Sequence, residues 1–323
     1  MPKLPEADLG IGREHVAALV SALVAEPHED VDEVRWTIAE EPAGEGWDNL
    51  MWPVGQRDGR GLVLRVARRR VALPLLEREL VVLRHLAGQV TGSPMDFPAV
   101  LAAGPGAVLM PWLQGRPAAE LPVDDLARVG HTVAVTLASL HSVPPPGMVL
   151  NSLRGVSLAT RAAAFEADLV RIAAADGLKD RARQLWDRGI AAPDWTGPAL
   201  LMHGDPHPGN VVVPEGGGRP ALIDWGDATA GDPASDLGAL LLFDPSGAVL
   251  STYQQSLPTG HVVTDEDVWQ ALSDRAWAWA ARMSLSLLSA YAESDALGSC
   301  AVRMLGREAQ GSPPAACHSD GMT

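Results

Sequence analysis

The spacing of hydrophobic residues changes character twice along this chain. Residues 11–26 carry Val16, Leu19, Val20, Leu23 and Val24 at helical intervals, which predicts an amphipathic helix. From Val34 the pattern shortens to alternation: residues 34–40, 49–55 and 62–67 read as three strands, separated by the turn-rich segments 41–48 and 56–61. Helical periodicity returns over residues 72–87, with Leu76, Leu80, Leu83 and Leu86 on one side, and residues 97–112 read as two short strands joined at Gly104–Gly106. The stretch up to Trp112 therefore predicts a five-stranded antiparallel sheet with one helix inserted after its third strand.

Beyond Trp112 the helical period dominates. Residues 121–143 form a long helix, opened by Pro122 and closed by Pro144–Pro146. Residues 158–190 and 265–308 are further helical stretches, the second with Trp269, Trp277, Trp279 and Met283 in a core-like stripe. Between them, residues 199–237 combine short apolar runs with concentrated polar side chains. The expectation is an α+β chain of two lobes: residues 1–112 as a sheet lobe with a leading helix, 113–308 as a mainly helical lobe, and 309–323 as a flexible tail.

Composition narrows the functional classes. A chain of 323 residues, 47% hydrophobic and 20% charged, can bury a core large enough for two lobes around a cleft, and it has no sustained apolar run of membrane-spanning length. Its first residues lack the basic start, apolar middle and cleavage site of a signal peptide, so a cytoplasmic location is expected. Cys300 and Cys317 have no metal-ligand spacing and imply neither a disulfide framework nor a zinc site. A net charge of −15 disfavours nucleic acid and favours a cationic partner, unless the acidity only solvates the surface. Lysine is confined to Lys3 and Lys179, so arginine supplies the other permanent positive side chains.

The chemistry concentrates in His203-Gly204-Asp205-Pro206-His207-Pro208-Gly209-Asn210, a polar loop between the apolar Ala199–Met202 and Val211–Val213. Phosphoryl transfer to a hydroxyl needs a carboxylate near the attacking oxygen and oxygen ligands that hold magnesium against the phosphates. Asp205 suits the first task. Asn210 offers an amide oxygen without a second negative charge beside the base, and Asp224, in Leu222-Ile223-Asp224-Trp225-Gly226, offers a charged ligand. A hairpin of 210–213 with 220–223 through Gly216–Gly218 would bring the two ligands together. Asp232, followed by Pro233, fits a functional role and a helix N-cap for the segment starting near Ala234 equally.

The strings HGDPHPGN and LIDWGDATAGDPASDL resemble the catalytic loop and metal-binding segment of the aminoglycoside phosphotransferase and choline kinase family, which has a protein-kinase-like fold. The resemblance implies ATP or GTP and Mg2+ as cofactors. It makes Asp205 the base of a catalytic set with His203 and Asn210, Asn210 and Asp224 the metal ligands, and His203, His207 and Asp236 supports of the loop. It also implies a strand-borne cation on the phosphates, paired with a helix carboxylate. The usual lysine is missing, and Arg65 takes its place, as in similar macrolide phosphotransferases, with Glu79 as partner and Glu77 as the competing choice. Gly44 and Gly46 lie where a loop would cover phosphates, although a plain hairpin turn fits equally. Met110 and Trp112 lie at the connection where the base would meet the backbone. Arg68, Arg69 and Arg70 read as solvated surface.

For the acceptor, Asp227, Asp274 and Glu293 are candidate attractors of an amine, and Trp277 or Trp279 could stack on it, although burial in the helical core is the simpler role for both. The resulting expectation is an O-phosphotransferase of a cationic antibiotic, an aminoglycoside or basic peptide antibiotic, acting as a monomer or homodimer. Macrolide phosphotransferase, metabolic choline, sugar or amino-alcohol kinase, and nucleotide-binding pseudokinase are the alternatives.

Overall fold

The computed structural model describes residues 4–25, 34–87 and 92–306. Helix α1 (Arg13–Val24) precedes strands β1 (Arg35–Trp36), β2 (Gly44–Glu45), β3 (Asn49–Arg57) and β4 (Arg60–Ala67), helix α2 (Leu73–Ala87), and strands β5 (Ala102–Gly104) and β6 (Ala107–Pro111). They form one antiparallel sheet in the order β1-β3-β4-β6-β5, with the two-residue β2 added beside β3. Five-stranded alternation thus acquires a sixth, very short strand, and the first predicted strand contracts to Arg35–Trp36. The β3–β4 hairpin turns at Asp58 and Gly59, whose positive φ values of 50° and 75° are those a tight two-residue turn demands.

The two faces of the sheet divide the labour. Trp52, Leu62, Leu64, Val66 and Leu109 face α1, where Val16, Val20 and Leu23 cover them. The opposite face carries Val63, Ala67, Val108 and Met110 against Leu76 of α2. Arg65 alternates with Val63 and Ala67 and so projects on this second face.

The rest of the chain comprises β7 (Arg116–Pro117), α3 (Val123–Leu140), α4 (Ala162–Arg171), α5 (Asp176–Ala191), β8 (Leu200–Met202), β9 (Val211–Val213), β10 (Ala221–Leu222), β11 (Thr229–Gly231), α6 (Ala234–Leu240), α7 (Ala248–Ser256), α8 (Glu266–Ala290) and α9 (Ala296–Gly306). Asp265 caps α8, its side chain accepting from Asp267 N and Val268 N at 3.1 and 3.2 Å. Two long helices expected from periodicity are each broken. Residues 158–190 divide at Ile172, a buried residue in extended conformation that lets α5 pack on α8. Residues 265–308 divide at Tyr291, and α9 folds back along α8 over Gly298, where an added Cβ would lie 1.9 Å from Ala292 O. Cys300 is buried and unbonded to another cysteine, while Cys317 and the 309–323 tail lie outside the described residues. Among the described residues no helix is long and apolar enough to cross a membrane.

Candidate active site

Two antiparallel pairings bring the polar loops together. β8 pairs with β11, aligning Met202 with Thr229. β9 pairs with β10, aligning Val211 with Leu222, and Ile223 N extends the ladder by donating to Asn210 O at 2.9 Å. The loop 203–210 therefore lies beside the loop 223–228.

Asp236, fully buried in the first turn of α6, fixes the start of the first loop by accepting from His203 N at 2.8 Å and Gly204 N at 2.9 Å. Gly204 has φ of 90°, and a Cβ there would lie 2.1 Å from Asp227 O, so only glycine lets the loops approach this closely. His203 is fully buried: its Nε2 faces Ile223 O at 3.0 Å and its Nδ1 accepts from Asp205 N at 3.2 Å, which assigns the proton to Nε2. Burial pulls the His203 pKa down, against the carboxylates around it. This neutral ring braces both loops from beneath and does not reach the cleft, a correction to its place in the catalytic set.

Asp205 emerges from that platform with Arg154 Nη2 at 2.9 Å from Oδ1 and His207 Nε2 at 3.7 Å from Oδ2. Burial alone would raise its pKa, but Arg154, then His207, His203 and Arg282, reverse this and hold the carboxyl below the usual range. Asn210 Nδ2 donates to Asp205 O at 2.9 Å, which leaves Oδ1 of the amide without a hydrogen bond from any described residue. Asp224 has φ of 65° and ψ of 68°, a left-handed conformation uncommon for a residue other than glycine. Its Oδ1 accepts from Arg65 Nη2 at 2.8 Å, and its side chain is half exposed.

Arg65 bridges the lobes. Nη1 meets Glu79 Oε1 at 2.6 Å while Nη2 meets Asp224, and Glu79, not the exposed Glu77, is the helix partner. With its amide oxygen turned to the strand, Asn49 also accepts from Nη2 at 2.9 Å and Nε at 3.2 Å. Burial opposes the Arg65 charge, but Glu79 and Asp224 outweigh it and the guanidinium stays ionised. Burial pushes the Glu79 carboxyl up, with Arg65 pulling the other way. α2 is tied further to the Asp224 loop by Arg78, which donates to Gly226 O at 2.7 Å and Val149 O at 3.2 Å.

The arginines after β4 depart from the solvated reading. Arg68 is 5% exposed and grips the 44–49 turn, meeting Glu45 Oε1 at 2.7 Å and the carbonyls of Gly46 and Trp47 at 3.4 and 3.2 Å. Arg69 pairs with Asp48 at 2.9 Å; Arg70 alone is exposed. Gly44 lies in β2 and Gly46 N donates to Asn49 O, so the turn is held from its own side. At the connection between the lobes Met110 is buried, and Trp112 N donates to Gly61 O at 2.8 Å, so that donor is not free for a nucleotide base.

On the far side of Asp205, Asp227 accepts from Asn151 Nδ2 at 2.9 Å and faces Arg154 Nη2 at 3.6 Å; burial pushes its pKa up. Asp274 is engaged elsewhere, by Arg188 at 2.6 Å and Gln270 at 3.0 Å, in the α5–α8 contact. Trp277 packs beside Gly247 at the start of α7, Trp279 is fully buried, and Glu293 is exposed in the α8–α9 corner. The structure brings none of these four into the Asp205 cluster. Asp232 accepts from Ala234 N at 3.1 Å, as a cap does, and also holds Arg275 of α8 at 2.8 Å. An open depression of about 710 Å³, lined by Arg116, Asp125, Arg128 and Glu215, contains none of Asp205, Asn210 and Asp224.

Residues 40–272, more than half of the chain, match the model of the phosphotransferase enzyme family. The chain belongs to this family. Among curated proteins it is 27% identical over 207 residues to the uncharacterized protein YcbJ of Bacillus subtilis (strain 168), an alignment that spans 56% of this chain and 63% of that relative. Among solved structures, macrolide 2'-phosphotransferase type I shares 22% identity at a TM-score of 0.55, over 93% of this chain and 100% of that one. The GDP complex of wild-type aminoglycoside 2'-phosphotransferase-IIIa shares 18% at a TM-score of 0.57, over 91% and 97%. At these identities the likeness establishes the fold, which is the two-lobed, kinase-like one.

The donor set of this phosphotransferase fits a hard divalent cation. Asn210 Oδ1 accepts no hydrogen bond from the described residues and the Asp224 carboxylate is half exposed, so two oxygens remain for a metal that would take its other ligands from phosphates and water. Among the described residues no group of three or more His, Cys, Asp or Glu side chains could hold a metal alone. Sequence patterns give no sign of Arg154 and Arg282 beside Asp205, or of Arg161 next to those two arginines. The excess of arginine over lysine was the only signal, and it does not locate them.

Proposed function

We propose that this phosphotransferase transfers the terminal phosphoryl group of ATP or GTP to a hydroxyl of a small-molecule acceptor, with Mg2+ as cofactor, in the cytoplasm. The observation that carries this reading is the convergence of Asp205, Asn210 and Asp224 from two neighbouring loops that Asp236, His203 and Gly204 lock in register. Asp205 is the base: ionised and hydrogen-bonding, it orients the attacking hydroxyl and takes its proton as the new O–P bond forms and the bond to the leaving nucleoside diphosphate breaks. Asn210 and Asp224 would hold the magnesium ion, which when bound neutralises charge on the phosphate oxygens. Arg65, fixed by Glu79, supplies the permanent cation on the nucleotide side.

A cationic antibiotic is the acceptor that the names of the structural neighbours favour, one of which was solved with GDP and kanamycin. Of the carboxylates expected to attract such an acceptor, Asp227 faces Arg154 and Asp274 is paired with Arg188. The test is a mass-spectrometric screen of hydroxylated antibiotics and metabolites with Mg2+ and ATP or GTP. The expected product carries one added phosphoryl group and is absent with the Asp205→Ala variant. Tight nucleotide binding without acceptor-dependent consumption across the panel would instead mark a nucleotide-binding pseudokinase.

A further inference from the structure

Arg282, on α8, is 7% exposed, yet its guanidinium makes no hydrogen bond or ion pair with any described residue. Its Nε is sealed from solvent without a partner, and its guanidinium carbon lies over the Trp279 ring, 5.9 Å from the centroid. Two turns earlier on the same helix, Arg275 shows what a structural buried arginine looks like: Nε and Nη2 hold Asp232 at 2.8 and 3.3 Å, and Nη1 donates to Pro193 O. Arginine has five N–H donors and does not shed its proton; Nε of Arg282 is sealed, while Nη1 and Nη2, bonded to no described residue, are left to meet an anion.

Arg282 is not alone. Arg154 and Arg161 also have an Nε that is buried without a partner. Burial, then the fields of Arg161 and Arg154, pull the Arg282 pKa down to about 10, while Asp168 and Asp205 act in the other direction. Both carboxylates are already committed: Asp168 pairs with Arg171 at 3.0 Å and Asp205 with Arg154 at 2.9 Å. Asp227 is likewise held by Asn151 and faces Arg154. Arg154 and Arg282 have therefore been gathered beside the base, with Arg161 next to both, and with fewer carboxylates than they can use.

We propose that the acceptor carries an oxyanion, a carboxylate or a phosphate, which seats among Arg154, Arg161 and Arg282 while its hydroxyl meets Asp205. An oxyanion that draws Arg154 towards itself also releases Asp205 Oδ1 for that hydroxyl. A polycationic acceptor would face three like charges at the same place. This inference rests on the phosphotransferase reading and names the substrate class of that site.

The test first saturates the enzyme with Mg2+ and a non-hydrolysable ATP or GTP analogue, so that the phosphate subsites are filled. Inorganic phosphate, glucuronate, glucose and glucosamine are then titrated by calorimetry. Phosphate or glucuronate should bind at least tenfold more tightly than glucose, and glucosamine should be weakest. A preference for glucuronate indicates a carboxylate acceptor and a preference for phosphate a phosphorylated one. Arg282→Met should weaken the anion at least tenfold with the analogue's affinity unchanged, and Arg282→Lys should restore part of the loss. Arg161→Met serves if the first variant does not fold. Absence of anion binding, binding unchanged in both methionine variants, or preferential binding of glucosamine would overturn the proposal. Failure of the analogue itself to bind would count against the phosphotransferase reading instead.

Discussion

Two arginine clusters flank Asp205 and Asp224, and they are built on opposite principles. On the sheet side, Arg65 is enclosed by Glu79 at 2.6 Å and Asp224 at 2.8 Å, with Asn49 completing its partners. On the helical side, Arg154 takes Asp205, Asp168 is engaged by Arg171, Arg282 pairs with no described carboxylate, and the Nε of Arg154, Arg161 and Arg282 is unbonded. In the first cluster the guanidinium is met by two carboxylates, although Glu79 Oε2 is itself buried without a partner, and it can preorganise the nucleotide side before anything binds. The second is incomplete, so its energy is available to discriminate among acceptors.

Asp205 lies where the two clusters meet, and its removal should have the largest effect. Asp205→Ala should lower kcat by about 10³-fold, the scale of a positioned general base, with magnesium-dependent nucleotide binding retained. Steady-state kinetics with an acceptor found in the screen, alongside nucleotide titration, make the check; kcat within tenfold of the parent would remove Asp205 from that role. Next comes the closed cluster. Glu79→Gln leaves Arg65 buried beside one half-exposed carboxylate and should cost about 3 kcal/mol of unfolding free energy, the scale of breaking a buried pair, read by urea denaturation. A loss well under 1 kcal/mol would mean that the Arg65–Glu79 pair is not the structural bridge its geometry implies.

A third test asks how the open cluster acts on the base. The Asp205 pKa is depressed, so the carboxylate works throughout the neutral range and activity should fall only as pH drops through that lowered value. Arg154 is the largest influence opposing burial. Arg154→Met should therefore move the acid limb of the kcat profile to higher pH, towards or beyond the ordinary aspartate range. An acid limb at the parental pH would show that Arg154 does not govern the charge of Asp205.

The two clusters also differed in how far the sequence revealed them. Arg65 and Glu79 sit on a strand and a helix whose periodicities are plain, and Asp205, Asn210 and Asp224 sit in contiguous motifs with apolar anchors on both sides. Arg154, Arg161 and Arg282 belong to no motif: the first two lie in an irregular connection and at a helix start, the third on a helix more than 100 residues later. An arginine in such surroundings reads as a solvated face, and only tertiary packing buries it. The same reasoning misplaced Arg68, which closes the 44–49 turn from beneath. The helix breaks at Ile172 and Tyr291 were hidden for a related reason. Residues 172–175 contain neither glycine nor proline, and the chain turns there because α5 and α9 must both pack against α8.

The smallest expected effect is also the sharpest contrast between the clusters. A buried charge held by partners leaves an unpaired group behind when it is cut away, whereas a buried charge without partners leaves nothing behind. Arg282→Met keeps most of the apolar stem of the side chain and removes the guanidinium, with its placement over the Trp279 ring and donors that bond to no described residue. Its unfolding free energy should stay within about 1 kcal/mol of the parent or rise, as replacement of uncompensated buried charge by apolar volume allows. Denaturation of Arg282→Met beside Glu79→Gln in one buffer makes the comparison direct. A loss for Arg282→Met as large as that for Glu79→Gln would show that this guanidinium is a structural member of the core, and the distinction between a closed and an open cluster would vanish.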